Sequence, residues 1–221
     1  MKHNGDRKKK GNNVNQSEKF WDKKAQAYAK SVMSDETLYL KKLSETQNYL
    51  SKDMRVLEFG CGTGTTAIHH APHVHHIDAI DISENMLNIG RERAKEENIG
   101  NISFTRGTLS EFNANTDSID AVLGLNVIHL LPDRQAAISE VARILKPGGI
   151  FVSSTACLGG SYLRFIKLFV PIGKLLGLLP DVSVLTEAEL TNDIVNAGFK
   201  IESQWHHSLK DISVFIIARK M

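Results

Sequence analysis

Met54-Arg55-Val56-Leu57-Glu58-Phe59-Gly60-Cys61-Gly62-Thr63-Gly64 decides how this chain folds. The run from Met54 to Phe59 is mostly apolar and predicts a buried strand. Glycines at 60, 62 and 64 break it into a loop, and Thr65 to Ala71 then begins a helical pattern. Glycine lets the backbone take positive φ and lets a ligand reach the main chain with no Cβ in the way. The helix start offers unpaired N–H groups and a partial positive charge. Such a turn, at the carboxyl end of a parallel strand, is where open α/β sheets bind cofactors.

Two cofactor patterns overlap there. Gly62-Thr63-Gly64-Thr65-Thr66-Ala67 fits G-x-G-x-x-G/A, the dinucleotide signature, but a lone match is weak. Glu58-x-Gly60-x-Gly62-x-Gly64 is more specific. A carboxylate at the mouth of a pyrophosphate site repels phosphates, whereas a ligand carrying an ammonium and a sulfonium is favoured by it. Downstream, His76 to Ile80 predicts a second strand, and Asp81 falls at its end. A carboxylate there accepts from both hydroxyls of a ribose. Asp81 does not separate the two cofactor classes, and its plainer role is to cap the helix starting near Ser83.

The Glu58–Gly64 pattern resembles the first motif of class I S-adenosylmethionine (SAM) methyltransferases, and the likeness continues from about Ser17 to the end. Ser118 to Asn126 resembles the family's fourth strand and following turn. Leu145-Lys146-Pro147-Gly148-Gly149 resembles its tight turn into the fifth. Phe20-Trp21-Asp22 with Ala25 and Tyr28 resembles the N-terminal cap helix of small-molecule members, the ubiquinone/menaquinone and type 11 group. The resemblance implies an α/β, Rossmann-like seven-stranded sheet, parallel with a C-terminal antiparallel hairpin and helices on both faces. It implies that Gly60, Gly62 and Gly64, with Cys61 beside them, line the methionine part of SAM, and that Glu58 helps hold the ammonium. Asp81 takes the ribose, Ile82 and Met86 pack near the adenine, and Asn126 offers its carbonyl to the ammonium. Where many members have Gly-Asp after the third strand, this chain has Gly107-Thr108-Leu109. Thr108 is then the acceptor for the adenine amino group, and the Leu109 N–H donates to the ring.

At 221 residues the chain suits one domain with one sizeable core. A net charge of +2 gives no reason to expect nucleic acid. Much of the excess lies in Lys2 and Arg7 to Lys10, within a polar stretch that predicts a disordered basic tail over 1–17. The domain then covers 18–221, with cap helices over 18–50. Cys61 and Cys157 belong to the first and fifth strands. With the family's fourth strand between them, these lie about 10 Å apart at about 4.8 Å per step, too far for a disulfide. Reduced thiols suit a cytoplasmic protein.

Strand and helix signals alternate from Met54 to Ala156, as in a parallel α/β sheet. Helices are expected from Asn85 to Glu97, from a first turn holding Pro132 to Lys146, and from the capping box Thr186-Glu187-Ala188-Glu189 to Gly198. The strands Phe199 to His206 and Ile212 to Ala218, joined by a short link, predict a hairpin. An apolar insertion over 158–180 interrupts the order. Its 161–179 core keeps Arg164, Lys167 and Lys174 on one face, which suits a lid over the acceptor, ordinary core, or membrane-surface contact. The histidines at 69, 70, 73, 75 and 76 suggest metal, or imidazoles gathered at a helix end, and no ligand spacing supports the metal.

The expected function is SAM-dependent methyl transfer to a small apolar or amphiphilic acceptor. An NAD(P)-dependent oxidoreductase and a SAM-binding regulatory protein without turnover are the alternatives. SAM is already activated, so the protein chiefly orients the nucleophile and excludes water. His129, after the fourth strand, is the candidate general base, or a histidine tied to backbone at a helix start. Tyr28 is the candidate to close over the cofactor and touch the acceptor, or it packs the cap helix. No residue pattern sets the oligomeric state.

Overall fold

The computed structural model describes residues 3–31, 35–160, 182–206 and 212–221, with side chains from residue 14 onward. The strands are β1 (Arg55–Phe59), β2 (His76–Asp81), β3 (Ile102–Arg106), β4 (Ile119–Leu125), β5 (Leu145–Ala156), β6 (Phe199–Trp205) and β7 (Ser213–Lys220). They form one sheet in the order β3-β2-β1-β4-β5-β7-β6. β1 to β5 pair in parallel, and β7 runs antiparallel to both β5 and β6. This is the predicted fold class.

The helices are α1 (His3–Lys30), α2 (Glu36–Gln47), α3 (Thr65–His70), α4 (Glu84–Glu96), α5 (Arg134–Ile144) and α6 (Glu187–Asn196). β1 and β4 read as near-continuous apolar runs because both faces are covered. On one face, Ile138, Val141 and Ile144 of α5 and Leu190 and Ile194 of α6 pack against Leu57, Val122, Phe151 and Ile216. On the other, Ala67, Ala71, Val74 and Leu87 pack against Val56, Ile77, Leu123 and Ile217, with Tyr49 and Leu50 after α2 at the margin.

Three local expectations change. α1 begins at His3, inside the stretch whose composition predicts a disordered tail, so 1–17 and 18–50 are not divided by an element boundary. A helix already nucleated propagates easily, and Lys and Gln are good helix formers. Pro132 precedes the Asp133 N-cap of α5 instead of entering its first turn. Lys146 to Gly149 form an irregularity within β5: Ile119 pairs with Leu145 and Ala121 with Ile150. The Thr186–Glu189 capping box is present as expected.

α1 is held on α4 by specific polar contacts. Asp22 accepts from the Ser83 hydroxyl at 2.6 Å and from the Asn85 N–H at 3.2 Å. Ala25 is buried against Met86 and Ile89. Arg93 donates to the Ala29 carbonyl and to the Thr63 and Thr65 hydroxyls, which fastens α1 to the glycine loop. α2 is held by Trp205 Nε1 donating to Glu45 Oε2 at 2.7 Å and by Lys42 Nζ donating to Ser154 Oγ at 3.0 Å.

Candidate functional site

The carboxyl ends of β1, β2 and β4 meet under α1 and α2. At the end of β1, Gly60, Gly62 and Gly64 all take left-handed φ, between +54° and +73°. They do different work. A Cβ on Gly60 would lie 2.4 Å from Val127 Cγ2, and one on Gly64 2.7 Å from the Phe104 ring. Both glycines are therefore required by close packing beneath the loop. A Cβ on Gly62 would meet Tyr28 Cε1 at 3.7 Å, an ordinary contact, and no other neighbour within 4 Å. Gly62 thus presents the open main chain.

Asp81 orients this loop. Its Oδ2 accepts from the Gly62 N–H at 2.9 Å and its Oδ1 from the Ser83 N–H at 2.8 Å. Each oxygen keeps a further acceptor site. Burial raises the Asp81 pKa, and the main-chain donors from Ser83 and Gly62 oppose that rise.

Glu58 lies deeper. It is 3% exposed, and its Oε2 has no hydrogen-bond partner among the described residues. Burial, and then the neighbouring Asp81 charge, push its pKa up to about 8, against one opposing N–H from Ala67. Tyr28 of α1 and Tyr39 of α2 both respond to Glu58: burial first, and then that charge, raise both phenols. Tyr28 is 48% exposed, and its ring lies 3.7 Å from where a Cβ on Gly62 would stand. Tyr39 meets Thr66 Oγ1 at 3.4 Å and the His69 ring edge-on. Tyr39 belongs to no motif, and nothing local in the sequence marks it.

The remaining candidates divide. Asn126 ends β4 at φ +57°, a conformation Asn tolerates better than most residues, and its N–H is held by the Ser154 carbonyl at 2.7 Å. Ile82 is half-buried beside Asp81. Met86, expected near an adenine, is instead 2% exposed and packed with Trp21, Ala25 and Ala29. The docking of α1 takes its surface. Thr108 is also engaged: its hydroxyl and N–H both donate to Glu111 Oε2, at 2.7 and 2.8 Å. Thr108-x-x-Glu111 closes a turn of its own, so the hydroxyl proton is already committed. The Leu109 side chain is buried in the core. Cys61 is buried, and burial, then Glu58 and Asp81, raise its thiol far above the usual range, which removes a nucleophilic role at neutral pH.

His129 sits in a short turn after β4. Its Nδ1 is buried without a partner among the described residues, and burial lowers its pKa. The His129 carbonyl accepts from the Ser183 N–H at 2.7 Å, and the Leu185 carbonyl from the Gly159 N–H at 2.8 Å. The chain therefore leaves and rejoins the described structure beside His129. The insertion itself lies outside the described residues from 161 to 181. Among the described residues, no three His, Cys, Asp or Glu side chains gather as a metal site, and no helix is long and apolar enough to cross a membrane.

The site has an acidic floor, an unpartnered buried carboxylate and a main chain open at Gly62. That donor set fits a cationic cofactor and opposes a pyrophosphate. Residues 56–149 match a family model described as a methyltransferase domain. Over these residues the chain is similar to SAM-dependent methyltransferases. It is 33% identical over 98 residues to the uncharacterized methyltransferase YcgJ of Bacillus subtilis, covering 44% of the chain and 39% of that relative. The crystal structure of YcgJ superposes with a TM-score of 0.67 at 18% identity, over 82% of this chain and 98% of that one. A demethylmenaquinone methyltransferase of Listeria welshimeri is 33% identical over 117 residues, covering 51% of the chain and 50% of the relative. The chain thus spans half or less of the length of these curated relatives. The [4+2]-cyclase SpnF shares the fold, with a TM-score of 0.67 at 17% identity over 81% of this chain and 80% of that one.

Proposed function

We propose that this chain is a methyltransferase that holds SAM over the glycine loop and passes its methyl group to a small, apolar or amphiphilic acceptor. The observation that carries this is Glu58: a sealed carboxyl with an unpartnered oxygen, beside a second carboxylate, at a loop open only at Gly62. Glu58 balances the positive charges of the cofactor. Asp81, already oriented by Gly62 and Ser83, accepts from the ribose hydroxyls. The Gly62 main chain admits the methionine part, and the Asn126 carbonyl faces the ammonium. Thr108 retains its lone pairs for an adenine amino group, and the Leu109 N–H is available to the ring.

When bound, SAM supplies a methyl group activated on sulfur, so transfer is an in-line displacement at carbon. The protein's part is to orient the acceptor and exclude water. Tyr28 covers the loop from above. Burial keeps the His129 imidazole neutral near pH 7, which lets it take a proton from an acceptor that must lose one. The apolar stretch 161–179 lies outside the described residues and stays the candidate lid over the acceptor. The demethylmenaquinone methyltransferase relatives favour a quinol-like acceptor.

Sheet order and family match give no support to an NAD(P)-dependent oxidoreductase. The comparisons give no support to a SAM-binding regulatory protein without turnover either, since the [4+2]-cyclase shares only the fold. Thermal shifts with SAM, S-adenosylhomocysteine and NADH test the cofactor. A stabilisation of about 2.7 kcal/mol is expected at a hundredfold excess over Kd. A shift with NADH alone would overturn the assignment. Labelled methyl transfer from SAM to a panel of quinols, phenols, fatty acids and amines then tests turnover, and Phe165→Ser and Leu168→Ser should raise KM for the acceptor alone.

A further inference from the structure

Glu58 is surrounded by groups of one electrical character. From β2 it faces Asp81, and from its own loop the Cys61 thiol. From α1 it faces Tyr28, and from α2 Tyr39. The start of α3 brings Thr65, Thr66 and the Ala67 N–H, and His69 turns instead to the Thr65 carbonyl. β4 brings Leu123, its register partner. The cations on neighbouring elements have other partners. Arg91 donates to Glu84, Asn88 and the Phe104 carbonyl, Arg93 to Thr63, Thr65 and the Ala29 carbonyl, and Lys42 to Ser154.

A carboxylate taken out of water without a counter-charge neutralises itself by holding its proton. An opposite charge brought within about 4–6 Å reverses that preference. The occupant assigned above carries an ammonium and a sulfonium.

We propose that Glu58 is protonated in the ligand-free protein and that the arrival of SAM expels this proton, so that cofactor binding is coupled to proton release. The proposal rests on the SAM assignment and deepens it. The O–H bond of the Glu58 carboxyl breaks, the electron pair stays on the carboxylate, and the proton passes to the buffer. Asp81 plays a different part. Two main-chain N–H groups donate to it and favour its anion, so it serves the ribose while Glu58 carries the proton. The upward displacement of the Glu58 pKa, by burial and by Asp81, agrees with this division.

Calorimetric titration of the whole protein with SAM, in buffers of differing ionisation enthalpy, counts the protons. About one should leave per SAM bound at pH 7, and affinity should rise roughly tenfold per pH unit from pH 6 towards pH 7.5. Glu58→Gln should bind SAM with no such release. Infrared difference spectra of the wild type should lose a protonated-carboxyl band when SAM binds, which reads the event without a variant. SAM binding with no proton released, a carboxyl band that persists, or release unchanged in Glu58→Gln would each overturn the proposal. Failure of both SAM and S-adenosylhomocysteine to bind would instead remove the cofactor assignment, and this proposal with it.

Discussion

The main-chain N–H of Gly62 donates to Asp81 Oδ2 at 2.9 Å, which ties the glycine loop after β1 to the carboxylate that ends β2. The neighbouring Cys61 N–H reaches the Ile80 carbonyl at 3.0 Å, so the two strand ends are joined twice. One carboxylate therefore sets the loop's shape and faces the ligand.

Asp81→Ala is expected to act on both counts. SAM affinity should fall by about 1–3 kcal/mol, because ligand hydroxyls lose their acceptor. Stability without ligand should also fall, by about 1–2 kcal/mol, because the Gly62 and Ser83 N–H groups lose theirs. Calorimetry and urea unfolding measure the two effects separately. SAM binding at wild-type strength in this variant would show that the ribose lies elsewhere.

The glycines should separate in the same assays. Gly60→Ala drives a Cβ into Val127 at 2.4 Å and strains a φ of +65°. A loss of about 2–4 kcal/mol in stability is expected from overpacking and left-handed backbone together. Gly62→Ala makes only an ordinary contact with Tyr28, so just the backbone strain of about 1–2 kcal/mol should appear. Its larger effect should be on SAM affinity. Equal stability losses in the two variants would contradict the packing described here.

His70 predicts acid sensitivity. It is 0% exposed, and neither ring nitrogen has a partner among the described residues. Burial, then His73 and His69, lower its pKa to about 4. Above about pH 6.5 both folded and unfolded forms are neutral, and His70 adds no pH dependence. As pH falls below that value the unfolded chain takes up a proton that the folded protein refuses, so stability falls. The loss levels off below about pH 4, at roughly 3 kcal/mol. Urea midpoints of wild type and His70→Gln between pH 4 and 7.5 test this. A wild-type slope that survives the substitution would assign the effect to carboxylates instead.

On the opposite face, Asp193 of α6 accepts from Arg134 Nε at 2.6 Å and Gln135 Nε2 at 2.7 Å, joining α6 to the start of α5. The Asp193 and Arg134 side chains are 9% and 23% exposed. Asp193→Ala should cost about 2 kcal/mol of stability by leaving a largely buried guanidinium unpaired. SAM affinity should stay unchanged, since α5 and α6 pack on the face of the sheet opposite α3 and α4. A parallel loss of SAM affinity would mean that α5 and α6 support the site directly.

Much of the fold was legible because its signals are local. Strand and helix periods alternate within windows of a few residues, the capping box lies within Thr186 to Glu189, and the three glycines stand together. What misled was equally local. Polar composition over 1–17 predicted a tail where the helix backbone continues from His3. Met86 looked available until α1 covered it; Thr108 gives its hydroxyl proton to Glu111, three residues on, and keeps the lone pairs of the acceptor role expected of it.

The sequence by itself determined the class of fold, the place of the cofactor loop and the two carboxylates Glu58 and Asp81, because each depends on spacing along the chain. Only the tertiary structure decided which glycine is open, that Tyr39 joins Tyr28 above Glu58, and that His70 is sealed while its neighbours His69 and His73 remain exposed. These follow from contacts between residues far apart in the chain, such as Tyr39 with Thr66 and Gly60 with Val127. No local period records such contacts. The charge state of Glu58 belongs to the same group: it is set by desolvation and by the absence of a buried cation among the described residues around it, and both exist only once the sheet and its two cap helices have closed over the loop.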